Sequence, residues 1–285
     1  MKKTQLLFLC SVLTGALLLN ACRSIRNFTE APKPWTGEAT RKTNLPVHDP
    51  AKKTVFIIAD SKLTVLFDML APFYLFNATE KANVYIIAKE KVPILIRKDL
   101  FAMPQLSFAE ADSLKLQADA IVIPALSIRD EHQDPEVIDW IKSHFLPGTK
   151  MLAICDGSAT AAATGLYDGK PITTHASDFA SVKAHFDKPV WVQNVTVTKS
   201  GNLFSTAGVS NAVEGSLIVI DELFGSDVMN KVLQDVRYPS PVVKTAHRSV
   251  ALSGSDKFTA LKKVLFRKNR DIGALLDNGI NEFDM

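Results

Sequence analysis

From Thr54 onward the chain alternates short, unbroken apolar runs with longer stretches of helical period. The runs are Val55-Phe56-Ile57-Ile58, Val84-Tyr85-Ile86-Ile87, Ile121-Val122-Ile123 and Met151-Leu152-Ala153-Ile154. A run with no polar residue at alternate positions suits a strand buried on both faces, and such strands belong to parallel sheets. Between the runs, Leu63 to Phe76 and Pro135 to Phe145 carry apolar residues at amphipathic helical spacing, and Ser216 to Phe224 predicts a more apolar helix. The repeated strand, helix, strand order predicts an α/β domain with a doubly wound, mainly parallel sheet and helices on both faces. Val190 to Phe204 breaks this pattern: its turn signals, Asn194 and Gly201-Asn202, predict a β-hairpin or an edge insertion.

The two ends have a different texture. Lys2 and Lys3 precede an apolar run from Leu6 to Leu19, which is short for a bilayer span and has the layout of an export signal. Leu19-Asn20-Ala21-Cys22 is similar to the lipobox of bacterial lipoproteins, in which cleavage before the Cys leaves it lipid-modified. That resemblance implies removal of residues 1–21 and a lipoprotein anchored through Cys22 to a lipid bilayer of the cell envelope. An ordinary signal peptide and an uncleaved anchor are the alternatives. Residues 22–53 mix Pro, Thr, Asn and charge without an apolar period, as a flexible tether does. After the domain at 54–240, residues 241–268 read as a connector. Residues 269–285 read as a strand-like segment, because Ile272 to Met285 echoes Val55 to Met69 and both finish on Phe-Asp-Met. It is either the first strand of a second copy or a terminal element packed on the one domain.

Composition narrows the function classes. The 285 residues are 47% apolar and 22% charged, enough apolar material for a sizeable core. Net charge is +3 for the chain; without residues 1–21 it loses two lysines and keeps 31 basic against 30 acidic residues. So balanced a chain has no electrostatic case for a nucleic-acid partner. No Gly-x-Gly-x-x-Gly or phosphate-binding Gly-x-x-x-x-Gly-Lys occurs, and the scattered His48, His132, His144, His185 and His247 lack metal-ligand spacing, so no cofactor and no metal are expected. Cys10 would leave with the signal and Cys22 would be acylated, which makes Cys155 the remaining thiol.

Cys155 is also where the pattern places chemistry. Met151 to Ile154 is followed by Cys155-Asp156-Gly157-Ser158 and an Ala-rich helix to Thr164, stopping at Gly165. A strand, sharp turn and helix in that order form an elbow at the carboxyl edge of the sheet, where open α/β folds bind ligands. The helix N-terminus there favours thiolate over thiol. A small, buried, inert cysteine is the competing reading.

Three motifs in order resemble the DJ-1/PfpI superfamily, especially its class I glutamine amidotransferase-like branch known from regulator proteins, over Thr54 to Tyr238. They are Ala153-Ile154-Cys155-Asp156-Gly157, then Gly165-Leu166-Tyr167-Asp168-Gly169-Lys170-Pro171-Ile172-Thr173-Thr174-His175, and Ser205-Thr206-Ala207-Gly208-Val209-Ser210 leading into a helix. The resemblance implies a flavodoxin-like fold with Cys155 as nucleophile and, from the segment Leu66-Phe67-Asp68-Met69-Leu70-Ala71-Pro72-Phe73, Asp68 as its acidic partner. It also implies that His175 lies near the nucleophile, where an imidazole can serve as general acid or base. A solvated or capping Asp68 and a structurally satisfied His175 are the alternatives. N–H groups at Asp156 and Ala125 would hold an oxyanion.

Two departures from the family pattern matter. Asp156 stands where protease-like members carry His, which argues against a peptidase. Pro124-Ala125-Leu126 stands in place of Pro-Gly-Gly, which restricts the oxyanion loop. The function expected is a cysteine-dependent hydrolase, hydratase or lyase acting on a small metabolite; the alternative is a non-catalytic small-ligand-binding or sensing domain. A homodimer is a further expectation from the resemblance.

Overall fold

The computed structural model of the protein describes residues 46–97, 100–126 and 134–238. The expected signal peptide, Cys22, most of the tether, the connector 241–268 and the segment 269–285 lie outside the described residues. In chain order the described elements are β1 (Lys53–Ala59), α1 (Leu66–Ala78), β2 (Ala82–Ala88), β3 (Ile94–Arg97), β4 (Leu100–Ala102), β5 (Leu106–Ser107), α2 (Phe108–Ser113), β6 (Ala120–Ile123), α3 (Pro135–His144), β7 (Lys150–Ile154), α4 (Gly157–Ala163), β8 (Pro171–Ile172), α5 (Phe179–His185), β9 (Val190–Trp191), β10 (Val197–Ser200), β11 (Leu203–Thr206), α6 (Asn211–Phe224) and α7 (Ser226–Asp235).

The main sheet has the order β10-β11-β7-β6-β1-β2-β5. All its pairings are parallel except β10 with β11. The four apolar runs of the sequence are thus β1, β2, β6 and β7, and they lie side by side. Their unbroken apolar character follows from burial on two faces. Val55, Ile57 and Ala59 of β1 enter one core with Met69 and Phe76 of α1 and with Leu217 and Ile218 of α6. Phe56 and Ile58, on the opposite face, meet Trp140 and Ile141 of α3. This is the flavodoxin-like, doubly wound arrangement that the alternation of runs and helices predicts.

Local boundaries reflect competition for backbone partners. The first helical stretch begins at Leu66 rather than Leu63, because the Thr64 N–H is donated to the Leu95 carbonyl (3.0 Å) and the Val65 N–H to the Ala125 carbonyl (3.0 Å). These bonds pin the residues before α1 to the β3–β4 ribbon and to the end of β6. Val190 to Phe204 is a hairpin only in its second half, where β10 and β11 pair antiparallel across Gly201 at φ 59°. β10 is the edge strand of the sheet, and β11 beside it is paired on its other side parallel to β7, so the hairpin forms that edge. The β3–β4 ribbon, α2 and α5 were not evident in the periodicity. α2 is only six residues long, although it starts with a reciprocal capping box between Ser107 and Glu110.

Candidate active site

The elbow after β7 has a backbone geometry that few residues bearing a side chain adopt. Cys155 sits at φ 56°, in the left-handed region that non-glycine residues rarely occupy. It is held there from three sides: its N–H is donated to the Thr206 carbonyl (3.1 Å), and its carbonyl accepts from the Ser158 N–H (3.3 Å) and the Thr174 hydroxyl (3.0 Å). Strain of about 1–3 kcal/mol persists at such a residue only when its surroundings over-determine it. Gly157 permits the tight approach that follows: a Cβ there would lie 2.0 Å from the Ile123 carbonyl oxygen and 2.5 Å from that of Pro124. The helix α4 therefore starts hard against the end of β6. Cys155 itself is only 3% exposed.

Asp68, in the first turn of α1, is fully buried. Its Oδ2 accepts the Ala125 N–H at 3.3 Å, while the Ala125 carbonyl receives the Val65 N–H. Asp68 thus lies at the carboxyl end of β6, the strand beside the one that carries Cys155. Here the expectation for Ala125 needs correcting. Its N–H is committed to the carboxylate, so this group orients Asp68 rather than standing open to an oxyanion. Asp156 is buried and turned to Thr174, whose hydroxyl lies 2.9 Å from Oδ1. One hydroxyl therefore ties the carbonyl of Cys155 and the side chain of the next residue to the strand-end segment Thr173-Thr174.

A cleft of about 410 Å³ opens above this layer. Its walls come from Thr173 to Ala176, from Ala207 to Asn211, and from Gln193 to Val195, with Phe67 and Phe179 as aromatic sides. Neither Cys155 nor Asp68 is in the wall, but each has an immediate neighbour there: Thr174 is bonded to Cys155, Ala207 follows Thr206, and Phe67 precedes Asp68. His175 is in the wall. Its Nδ1 is 2.7 Å from the Ser177 Oγ and 3.4 Å from Oδ2 of Asp178, and the Ser177 Oγ is 2.9 Å from the same Oδ2. The edge of the ring faces Gly208, whose Cβ, if present, would stand 4.0 Å from the His175 Cδ2.

The expected residues are thus brought to one end of the sheet in two tiers: Cys155, Asp68, Ala125 and Asp156 below, His175 above in the cleft. Sequence reasoning missed Ser177 and Asp178. A Ser-Asp pair two and three residues after a histidine is ordinary loop composition, and only the turn brings them onto the ring. Among the described residues, no three His, Cys, Asp or Glu side chains are grouped to hold a metal ion, and no helix is long and apolar enough to cross a membrane.

The DJ-1/PfpI family pattern matches residues 52–221, well over half of the chain. The chain belongs to the DJ-1/PfpI family. Among curated relatives of this DJ-1/PfpI protein, isonitrile hydratase of Pseudomonas putida is 26% identical over 176 residues, 61% of this chain and 74% of that protein. Protein dj-1beta of Drosophila melanogaster is 27% identical over 137 residues, 47% of this chain and 71% of the relative. Among solved structures, Drosophila melanogaster DJ-1beta superposes with a TM-score of 0.58 at 20% identity, covering 66% of this chain and all of that one. A ThiJ/PfpI family protein from Pseudomonas syringae gives 0.63 at 18% identity, over 83% of this chain and 99% of the other. At these identities the superpositions establish the shared fold.

Proposed function

We propose that this DJ-1/PfpI protein is a cysteine-dependent hydratase for a small electrophilic metabolite, with Cys155 as nucleophile, Asp68 as its proton partner and His175 as acid or base on the cleft side. The observation that carries the reading is Cys155 held at φ 56° on the strand-to-helix turn, with the buried Asp68 at the end of the adjacent strand. A carboxyl group in so apolar a setting can pass a proton to and from a neighbouring thiol without solvent's help. The likeness to isonitrile hydratase supports hydration over the other cysteine-dependent reactions. On a carbon of the isonitrile kind, the Cys155 sulfur bonds the terminal carbon and the thiol proton passes through Asp68 to that carbon, giving a thioimidate. Water then adds, the carbon–sulfur bond breaks, the sulfur recovers a proton, and an N-substituted formamide leaves. The Asp156 N–H, at the head of α4, is the donor proposed to meet charge building up during attack.

The low exposure of Cys155 and its position outside the cleft wall favour a second reading, a binding or sensing domain that uses the cleft without turnover. Iodoacetamide separates them. As an enzyme, the protein should alkylate at Cys155 near neutral pH well above the rate of a model thiol of pKa about 8.5, and Asp68→Asn should slow the reaction while Cys155→Ser abolishes it. A thiol that stays inert in the folded protein rules out the hydratase.

The same protein is proposed to be exported and held at a membrane by lipid on Cys22, a reading supported by Leu19-Asn20-Ala21-Cys22. Fatty-acid labelling of the full chain in a bacterial host should mark the wild type and not Cys22→Ser. Equal labelling of both would refute the anchor.

A further inference from the structure

The turn that follows Thr174 contains a hydrogen-bonded chain, and its proton placement can be worked out from the distances. His175 Nδ1, Ser177 Oγ and Asp178 Oδ2 form a triangle with sides of 2.7, 2.9 and 3.4 Å. Asp178 is fully buried, and a buried carboxylate is tolerable only when donors face it. Two tautomers of a neutral His175 compete. With the proton on Nδ1, the ring donates to Ser177, Ser177 donates to Asp178, and the 3.4 Å contact is an attraction between N–H and carboxylate. With the proton on Nε2, Nδ1 accepts from the Ser177 N–H at 3.3 Å and from its hydroxyl at 2.7 Å. The 2.9 Å and 3.4 Å contacts to Asp178 then lack a proton, and two lone pairs face a buried carboxylate. Bonds to an ionised acceptor are roughly twice as strong as neutral ones, and the 3.3 Å N–H contact is the weakest of the set. The first tautomer prevails.

We propose that Asp178 is a positioning residue for His175, acting directly and through the Ser177 hydroxyl to hold the ring proton on Nδ1 and so make Nε2 the acceptor presented to the cleft. The proposal rests on the reading of the cleft as the substrate site. In that setting the Nε2 lone pair takes a proton from water or substrate, and Asp178 stabilises the imidazolium that forms. Asp156 and the carbonyl of Cys155 are bonded to Thr174, the residue before His175. The remaining walls, Phe67, Gln193, Asn194, Val209 and Asn211, do not titrate.

Imidazole 15N NMR of the full chain, at a pH where the ring is neutral, tests this. The His175 signals are assigned by their loss in His175→Gln. Wild type should show a protonated, pyrrole-type Nδ1 and a pyridine-type Nε2. Asp178→Asn should shift the ring to a mixture with a substantial protonated-Nε2 fraction, and Ser177→Ala, which removes one hydroxyl and spares the carboxylate, should shift it less. A wild-type ring protonated on Nε2 overturns the proposal, as does an unchanged Nδ1–H form in a folded Asp178→Asn protein. Should that variant fail to fold, an unchanged ring in Ser177→Ala overturns it. Inert Cys155 alongside the expected tautomer would instead defeat the hydratase reading and leave the positioning role of Asp178 standing.

Discussion

At the scale of the residue, the backbone of Cys155 sets a measurable sign. At ordinary helix or strand positions glycine is less stable than alanine by about 0.5–1 kcal/mol, because it loses more freedom on folding. At φ 56° the preference should invert, since the Cβ is what the left-handed region penalises. Cys155→Gly is therefore expected to unfold at higher urea than Cys155→Ala, by a margin equivalent to about 1 kcal/mol. The reverse order would mean the elbow relaxes without its side chain. Cys155 was legible as a candidate from the elbow pattern, and Asp68 and His175 from the resemblance to the family. The task of Ala125, orienting Asp68, was not. Nothing in a linear string indicates which buried acceptor a loop N–H will meet 57 residues away.

At the scale of elements, Tyr167 joins the turn after α4 to β11, the strand beside the sheet's edge. Its ring is fully buried and its hydroxyl donates to the Phe204 carbonyl at 2.8 Å. Burial pushes the phenol well above its ordinary range, and the bond to Phe204 offsets this only in part. The folded state therefore keeps the proton at pH values where the unfolded chain, with a phenol pKa of about 10, has lost it. The sign follows: stability from this group is complete below about pH 10 and declines as pH rises beyond it. Tyr167→Phe should cost about 1 kcal/mol near neutral pH through the lost bond. That gap should shrink in urea titrations above about pH 10, whereas a constant gap would show that the phenol ionises in place. Tyr167 stands inside one of the motifs, yet its partner strand is half of a stretch that read as a hairpin or edge. Leu203 to Thr206 is too short for periodicity to show whether it is paired on one side or two, and only the pairing with β7 decides it.

At the scale of the whole molecule, α1 carries an exposed apolar stripe, Phe67, Leu70 and Tyr74, at 44%, 40% and 63% exposure. Their spacing of three and four residues puts them on one helix face, and Phe67 also borders the cleft. Apolar side chains left open to solvent on one face favour association. A homodimer through this face is the expected outcome of sedimentation, with Leu70→Glu and Tyr74→Glu together returning a monomer. A monomeric wild type would rule out self-association through the stripe.

What the sequence determined by itself were properties carried by near neighbours along the chain. Unbroken apolar runs require strands covered on both sides, helical spacing gives one apolar face, and a strand, Cys-Asp-Gly and an Ala-rich helix make an elbow. Tertiary structure alone decided which groups meet across tens or more residues: Asp68 with the Ala125 N–H, Thr174 with Cys155 and Asp156, and β11 with β7. It also decided that Cys155 is buried and outside the cleft wall. The reason is physical: periodicity records how much of a residue is covered, whereas the direction of a hydrogen bond depends on which distant backbone the packing brings within about 3 Å.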